Sequence, residues 1–259
     1  MSKKPLILLV NDDGVNAEGI KVLRDHFLKI ADVWVCAPHI ERSAASHAIT
    51  IHNPLRVEKL DEKIFAVEGF PADCVKLALG HLLPFKPDFV VSGINRGPNL
   101  GFDTLYSGTV SAALEGALFG IPGIAVSSAG HDRNNMHYEA AAKIAVEVFM
   151  SMKDQLPKGS IYNINAPSCK LEDLKGVKAT SLGRRIDDDN IIESLDPRSK
   201  PYYWLGGGFG PVEEIENSDC IEIKKGYATI SVLTPSLFDE KATSSISKDV
   251  DGISKKMFG

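Results

Sequence analysis

Cysteines and long apolar runs are scarce in this chain of 259 residues. The four cysteines are Cys36, Cys74, Cys169 and Cys220. They are widely spaced and form no C-x-x-C pair, which argues against a zinc ribbon, a redox dithiol or a disulfide-stapled fold, so we interpret them as small buried hydrophobes. The first apolar run, residues 6–10, is too short for a signal peptide, and no segment approaches the roughly 18 apolar residues of a membrane span. We expect a cytoplasmic protein with no membrane partner.

Positively charged residues are fewer than negatively charged ones. Lys and Arg total 29 against 34 Asp and Glu, a net charge of −5, so no global positive field favours long nucleic acid or anionic lipid. Apolar residues make up 44% and charged residues 24% of the chain, which excludes collagen-like, coiled-coil and disordered classes. We expect one large or two small globular domains that bind any phosphate ligand locally.

Several catalytic motifs are missing. The glycines at Gly93, Gly97 and Gly101 match neither G-x-G-x-x-G nor the Walker A pattern, so neither a dinucleotide site nor a P-loop is supported, and we interpret them as a tight surface loop. No G-x-S-x-G elbow occurs, and His131 and His137 have no evident nucleophile partner. A Ser-His-Asp hydrolase is therefore disfavoured.

Strand and helix patterns alternate along most of the chain. Residues 6–10 are continuously apolar, which is typical of a strand covered on both faces, and residues 17–30 carry apolar side chains at helical spacing. A strand at 33–37 completes a βαβ unit, and residues 49–67 hold short pieces of hairpin or edge strand. The same patterns predict helices at 73–83, 108–120 and 138–152 and strands at 89–91, 124–126, 161–165, 177–182 and 227–233. We predict a three-layer α/β fold with a mostly parallel central sheet.

The final third is less regular, and we place a division at residue 182 within one structural domain. Residues 1–182 form the predicted α/β catalytic core. Residues 183–259 hold an arm, late strands and a C-terminal tail, and we expect them to serve oligomerisation. The tail after Ser236 shows no periodicity and is either frayed or docked on a partner subunit.

The predicted arm spans residues 183–211 and is rich in Gly, Pro, Arg and Asp. Its acidic run at 187–189 is interpreted as a solvated face rather than a second metal site. Its glycine run at 206–208 is interpreted as a flexible hinge rather than a binding loop.

Polar residues follow three of the predicted strands. The first strand leads to residues 11–14, the second to a segment that contains Ser43, and the strand that begins at Phe89 leads to residues 92–97. Ligands of open parallel sheets bind beyond the carboxyl ends of the strands. These three loops are therefore expected to meet at one edge, which we call the rim.

Asp12 and Asp13 are the most suggestive pair at the rim. On a turn that Gly14 opens, both carboxylates can face one point, where a shared proton, an Arg or a divalent ion must offset their repulsion. Neighbouring hydroxyl and amide oxygens favour Mg²⁺, Mn²⁺ or Ca²⁺ over a structural zinc. From the dipeptide alone, an equally weighted alternative is that one aspartate caps the next helix and the other is solvated.

Ser107, Gly108 and Thr109 open a predicted helix. Backbone N–H groups, two hydroxyls and the helix dipole at this point are suited to a phosphate. The alternative is that a hydroxyl there is only the N-cap of the helix.

Taken together, the ordered motifs of this chain resemble the SurE family. The motifs are Asn11-Asp12-Asp13-Gly14, Arg42-Ser43, Gly69-Phe70-Pro71-Ala72-Asp73, Ser92-Gly93-Ile94-Asn95-Arg96-Gly97, Tyr106-Ser107-Gly108-Thr109-Val110, Gly183-Arg184-Arg185 and Asp196-Pro197-Arg198. The likeness covers the chain up to about Thr234. Two departures are visible: the usual Gly-Ala-Ser-Asn stretch after the serine reads Ala44-Ala45-Ser46-His47, and Pro98 stands where a smaller residue is common. They put substrate preference in doubt, not the reaction.

The resemblance implies a divalent-metal-dependent phosphatase that converts nucleoside 5'-monophosphates to nucleoside and orthophosphate, with 3'-nucleotides and short polyphosphate as further substrates in some members. It implies one Mg²⁺ or Mn²⁺ per subunit and homodimers or homotetramers that exchange their C-terminal arms. The implied metal ligands are Asp12, Asp13, Ser43 and Asn95. The implied catalytic residues are Asp12, Asp13 and Asn95, and the implied phosphate-binding residues are Asn95, Ser107, Gly108 and Thr109. We favour a metal-bound water as nucleophile, and an aspartyl-phosphate route stays open.

Competing functions come from other classes. A non-catalytic nucleotide or phosphate sensor would use the same metal pocket and release no orthophosphate. A zinc deacetylase with an Asp-Asp pair needs a histidine beside the pair, and position 11 is Asn. A haloacid-dehalogenase phosphatase needs D-x-D, and position 14 is Gly. The sequence leaves open the preferred base, the ester position, the metal and the choice between dimer and tetramer.

Overall fold

The structure is a computed structural model that describes residues 4–130, 132, 134–184, 186, 191–205 and 211–258. The sequence predictions for His131, Arg185, the acidic run at 187–189 and the glycine hinge at 206–208 lie outside the described residues.

Within the described residues, nine strands form one sheet and two more form a separate hairpin. The strands are β1 Leu6–Val10, β2 Asp32–Pro38, β3 Val57–Asp61, β4 Ile64–Val67, β5 Phe89–Arg96, β6 Gly123–Ala129, β7 Ile161–Pro167, β8 Val177–Ala179, β9 Ile191–Leu195, β10 Pro201–Leu205 and β11 Ala228–Leu233. The order of the large sheet is β3-β4-β2-β1-β5-β6-β7-β11-β8. Strands β4 to β7 in that order run parallel, whereas β3 and β11 pair antiparallel with β4 and β7. The predicted mostly parallel sheet is confirmed.

Helices cover both faces of the sheet. They are α1 Glu18–Phe27, α2 Pro71–Leu77, α3 Gly108–Leu118, α4 Glu139–Met152, α5 Asp219–Lys224, α6 Glu240–Ser245 and α7 Ser247–Phe258. A π-helical turn at Ala78–Leu82 continues α2, and short 3₁₀ turns lie at Gly101–Leu105, Lys153–Gln155 and Leu171–Asp173. Helices α1 and α4 pack in one hydrophobic cluster, and α2 and α3 supply the clusters of the opposite face. The predicted three-layer architecture is confirmed.

The first strand shows why its sequence is apolar throughout. Successive side chains of a strand point to opposite faces. Ile7 and Leu9 pack in the cluster of α1 and α4, whereas Leu8 and Val10 pack in the cluster of α2. All four are fully buried. β1 is therefore a central strand that anchors both layers, and the turn that follows it starts from a rigid position.

The structure extends β5 beyond its predicted end. Pairing with β6 shifts between Ser92 and Asn95 and then resumes, so the strand reaches Arg96 instead of ending at residue 91. Gly93 allows this irregularity with a φ of +132°, and a Cβ there would lie 2.3 Å from the carbonyl oxygen of Val126. The interpretation of Gly93 as part of a surface loop is wrong, because the residue is buried within the sheet.

The C-terminal tail is helical, so the reading of it as aperiodic is wrong. Apolar side chains recur there at steps of three and four residues. They are Ile246, just before α7, and Val250, Ile253 and Met257 within it. All four side chains are more than half exposed. Their spacing gives α7 one apolar stripe without a covering layer in the described part of the chain.

Late strands return to the main sheet. β11 follows the arm in sequence, yet it lies between β7 and β8. The arm itself holds the antiparallel hairpin of β9 and β10, which forms a sheet of its own. The division at residue 182, with an oligomerisation role for residues 183–259, stays a prediction.

Burial and helix length bear on two smaller features of the sequence. Cys36, Cys74 and Cys220 are buried, as predicted, whereas Cys169 is only partly buried. In the part of the chain that the structure describes, no helix combines the length and apolar character that a membrane span requires.

The central position of β1 makes its core side chains costly to remove. Replacing Leu9 with Ala should lower the free energy of unfolding by about 2–5 kcal/mol, because the fully buried side chain leaves a cavity between β1 and α1. Urea denaturation measures this loss. Leu60→Ala on β3, where Leu60 is 44% exposed, serves as the control and should cost less than about 1 kcal/mol. Equal losses in the two variants would contradict the central role of β1.

Candidate active site

The rim is formed as the sequence predicts, because β2, β1 and β5 are adjacent and parallel. Their carboxyl ends deliver residues 11–14, the Ser43 segment and Asn95 to the same edge of the sheet. The start of α3, with Ser107, Gly108 and Thr109, meets the first of these loops.

Asn11 holds the turn after β1, a role that the sequence analysis did not assign to it. Its side-chain amide donates to the carbonyl oxygen of Gly14 at 2.8 Å, and its amide oxygen accepts from the N–H of Gly14 at 3.2 Å. Gly14 has a φ of +100°, as the predicted turn requires. Asn11 is fully buried, so the hydrogen bonds that close the turn of the two aspartates are shielded from solvent.

Asp12 is buried against the start of α3. Its carboxylate accepts a hydrogen bond from the hydroxyl of Thr109, and only 3% of the residue is exposed. A Cβ on Gly108 would lie 2.9 Å from the Cβ of Asp12, so only glycine allows this approach. Burial raises the pKa of Asp12 to about 6, and the charge of Asp13 adds to the rise, whereas the Thr109 hydroxyl opposes it.

Asp13 connects the first loop to β5. Its carboxylate accepts from the backbone N–H of Arg96 at 2.9 Å. The preceding residue, Asn95, donates its side-chain N–H to the carbonyl oxygen of Gly97 at 2.9 Å. Since an amide has one nitrogen and one oxygen, this bond uses the nitrogen of Asn95 and not the oxygen that the predicted ligand role requires.

Ser43 is linked to the aspartates indirectly, through hydrogen bonds of neighbouring residues. Its hydroxyl donates to Glu41 at 2.8 Å, and the other carboxylate oxygen of Glu41 accepts from the Arg96 guanidinium at 3.1 Å. The N–H of Arg42 donates to the carbonyl oxygen of Asp12 at 2.7 Å. Ser43 therefore belongs to the same cluster, and its single hydroxyl proton is used by Glu41, which leaves its lone pairs for a cation.

The start of α3 has the N-cap that was considered for it. Ser107 is the N-cap, because its hydroxyl oxygen accepts from the N–H of Val110 at 3.0 Å. Thr109 is fully buried and its hydroxyl is committed to Asp12. The helix start therefore supports the aspartate directly, and its part in binding phosphate stays a prediction.

A buried glutamate, Glu115 on α3, was missed by sequence reasoning. It accepts from His47 at 2.7 Å and from Lys76 at 3.2 Å, and its side chain is only 5% exposed. Burial alone would raise the pKa of Glu115, but the hydrogen bonds from His47 and Lys76 outweigh it and lower the pKa. The bond to Glu115 fixes His47 against the helix that begins at the rim.

The segment after Ser43 has further attachments. Ser46 donates its N–H to the carbonyl oxygen of Tyr106 at 2.9 Å and its hydroxyl to that of Leu105 at 2.7 Å. Thr50 donates through both its N–H and its hydroxyl to Asp73, at 2.9 and 2.7 Å. The bonds of Ser46 hold the second loop of the rim beside the start of α3, and those of Thr50 attach the following residues to α2.

The acidic residues do not form a metal cage by themselves. Among the described residues, no group of three or more His, Cys, Asp or Glu side chains is placed to hold a metal ion. A cation at the rim would therefore need the hydroxyl of Ser43 and the amide oxygen of Asn95 besides the two aspartates. Such a set of oxygen donors suits a hard divalent ion.

Comparison with known proteins decides the family. The family model described as survival protein SurE matches residues 7–189. The chain belongs to the SurE family. A protein of Actinobacillus succinogenes named 5'-nucleotidase SurE is 46% identical over 232 residues, which cover 89% of this chain and 93% of the relative. A protein of the same name from Pelobacter propionicus is 43% identical over 228 residues, covering 88% and 92%.

A solved SurE structure has the same fold. The crystal structure of the SurE protein from Aquifex aeolicus matches with a TM-score of 0.81 at 36% sequence identity and covers 96% of this chain and 99% of the other. The likeness therefore extends beyond the α/β core to nearly the whole chain.

The burial of Asp12 predicts an unusual pH dependence of stability. Its pKa is about 6 when folded and 3.8 in the reference state, so the folded state holds more protons between these values and loses stability as the pH rises through them. In EDTA, the stability of wild type relative to Asp12→Asn should fall by about 3 kcal/mol between pH 3.5 and 7.

Urea denaturation at both pH values measures this difference. Asp154→Asn is the control, because the Asp154 side chain is 89% exposed and its replacement should change little with pH. If wild type instead gains stability relative to Asp12→Asn as the pH rises, the pKa of Asp12 is not raised by burial as described above.

Proposed function

We propose that this chain hydrolyses nucleoside 5'-monophosphates to nucleoside and orthophosphate, using one divalent metal ion per subunit. The observation that carries the proposal is that Asp12, next to the charge of Asp13, lies against the start of α3, where the Thr109 hydroxyl donates to it. The relatives named 5'-nucleotidase SurE, at 41–46% identity over most of the chain, support the same activity.

The donor set at the rim fits a hard divalent ion. Burial and the neighbouring charge of Asp13 make ionised Asp12 unfavourable, and a divalent cation bound at this site would offset that cost. Asp12, Asp13, Ser43 and Asn95 would hold the ion through oxygen atoms, which suits Mg²⁺ or Mn²⁺. When bound, the ion supplies Lewis-acid polarisation of a phosphate oxygen.

The helix start and the two aspartates would stabilise the phosphate charge and transfer the proton. Ser107 and Gly108 begin α3, and the dipole and free N–H groups of a helix N-terminus stabilise negative charge on the phosphate oxygens. Water attacks phosphorus in line as the bond to the nucleoside oxygen breaks, and the leaving oxygen takes a proton. Asp12 or Asp13 serves as the base that takes a proton from the attacking water and then returns it to the leaving oxygen.

Other phosphate substrates fit the same chemistry. The groups at the rim recognise a phosphoryl group and its charge, so we include 3'-nucleotides and short polyphosphate as secondary substrates of the same site. The hydrolysis rates of these substrates, relative to those of 5'-monophosphates, measure how strongly the residues around His47 and Pro98 favour the 5'-ester.

Hydrolysis is tested by measuring orthophosphate released from a panel of nucleoside monophosphates and polyphosphate with Mg²⁺, Mn²⁺ or EDTA. Release should need the metal, and Asp12→Asn should lower it at least about 100-fold because a ligand and candidate base is lost. Asp154→Asn should keep full activity. Binding of AMP and metal without release would support a sensor instead, and turnover that persists in EDTA would contradict the metal proposal.

We also propose that the chains assemble as homodimers or homotetramers through residues 183–259. The hairpin of β9 and β10 supports this, because Tyr203, Trp204 and Leu205 are 58%, 64% and 82% exposed. Large exposed apolar patches mark interaction surfaces. The apolar stripe of α7 provides a second surface of the same kind.

The assembly is tested with the double variant Trp204→Ser, Leu205→Ser. Light scattering coupled to size exclusion should give a smaller mass than for wild type, because the apolar contact area of the hairpin is lost. Leu171→Ser, at a side chain that is 45% exposed outside the arm, should keep the wild-type mass. An unchanged mass in the hairpin variant would rule out this surface.

A further inference from the structure

Asp219, at the first position of α5, is a fully buried carboxylate that binds three backbone N–H groups. One oxygen accepts from Gly101 at 2.9 Å. The other accepts from Gly183 at 2.6 Å and from Cys220 at 2.7 Å. A buried carboxylate without donors is strongly unfavourable, so these three bonds hold the carboxylate and the three segments in one arrangement.

The segments that Asp219 joins have different roles. Gly101 begins the 3₁₀ turn that leads to the start of α3, and it follows Asn95 by six residues. Gly183 lies where the chain leaves the main sheet for the arm. The contact has no space for side chains, because a Cβ on Gly101 would lie 2.5 Å from the carbonyl oxygen of Gly183. A Cβ on Gly183 would lie 2.7 Å from the sulfur of Cys220.

The same loop is held from the sheet at Asn99. Its N–H donates to the side-chain oxygen of Asn165 at 2.7 Å, and its carbonyl oxygen accepts from the side chains of Asn163 and Asn165, each at 3.0 Å. Its own side chain donates to Ser127 at 2.8 Å. The loop between the candidate metal ligand and α3 is therefore fixed by β6 and β7 on one side, and Asp219 fixes its next turn.

We propose that Asp219 is a positioning residue for the phosphate site. Its bond to Gly101 sets the spacing between Asn95 and the start of α3 at Ser107, and its bond to Gly183 links this spacing to the base of the arm. The inference rests on the proposed function for its kinetic readout. It is distinct from that function, because Asp219 contacts neither Asp12 nor Asp13 through any of its three bonds.

Asp219→Asn separates the two halves of this contact. Gly183 and Cys220 both donate to one oxygen, so an amide oxygen at that place retains both bonds, whereas the amide NH₂ opposes the N–H of Gly101. The variant should therefore release Gly101 selectively. Because small displacements of a phosphate-binding group cost much of the rate, kcat for AMP with Mg²⁺ should fall at least about 10-fold, with a smaller change in KM.

Glu222→Gln is the matched control. Glu222 lies on the same short helix, is 1% exposed and pairs with Lys178 and Lys225 at 2.5 and 2.8 Å. Its loss should lower the melting temperature but leave kcat and KM within about 2-fold of wild type. A second readout is the amide proton NMR shift of Gly101, which should move upfield in Asp219→Asn while that of Gly183 stays.

The outcomes separate the inference from the proposed function. If Asp219→Asn loses thermal stability but keeps wild-type kcat, Asp219 is only structural and the inference is wrong. If wild type itself releases no phosphate, the proposed function fails, and inorganic phosphate binding by calorimetry then decides the inference. Weaker phosphate binding in Asp219→Asn than in Glu222→Gln supports it, and equal binding overturns it.

A milder variant covers the case in which Asp219→Asn does not fold. The hydroxyl of Thr104 donates to the carbonyl oxygen of Gly101 at 2.7 Å, so Thr104→Val loosens the same residue from within the turn. A fall in kcat of about 3-fold or more supports the inference. An unchanged kcat overturns it.

Discussion

The burial of the Asp12 carboxylate next to the charge of Asp13, at the end of β1, is the constraint on which the rest of the site depends. Asp12 is buried, and burial together with the charge of Asp13 raises its pKa to about 6. The surrounding residues keep this unfavourable pair in place: the side chain of Asn11 closes the turn, and Gly108 allows α3 to approach. Buried groups with shifted pKa values are typical of functional sites, where ligand binding offsets the electrostatic cost of placing them there.

Rigidity behind the pair comes from the sheet. β1 lies between β2 and β5, and its alternating side chains enter the hydrophobic clusters of both layers. A turn that leaves such a strand has little freedom, and parallel neighbours bring their own loops to the same edge. Hydrogen bonds between the loops complete the arrangement, since Asp13 accepts from Arg96 and Arg42 donates to Asp12. The site is thus a product of sheet order as much as of the residues that form it.

The sequence was informative where the signal is local. Apolar periodicity predicts β1, α1 and β2, and the same parallel order brings Asp12, Asp13, Ser43 and Asn95 to one rim, although their roles as ligands stay predictions. It failed where one residue changes a pattern, as at Gly93, which lets β5 continue to Arg96. It also missed partners far apart in the chain, such as Gly101 and Asp219, which are separated by 118 residues. A buried carboxylate that binds backbone N–H groups leaves no periodic trace, and neither does the pairing of His47 with Glu115.

Anomalous diffraction from crystals grown with Mn²⁺ tests the central claim most directly. The account predicts one anomalous peak per subunit at the rim, with oxygens of Asp12, Asp13, Ser43 and Asn95 at about 2.0–2.6 Å from it. Density for Mn²⁺ elsewhere on the chain, with the two aspartates bridged by a proton or by solvent alone at saturating metal, would contradict it.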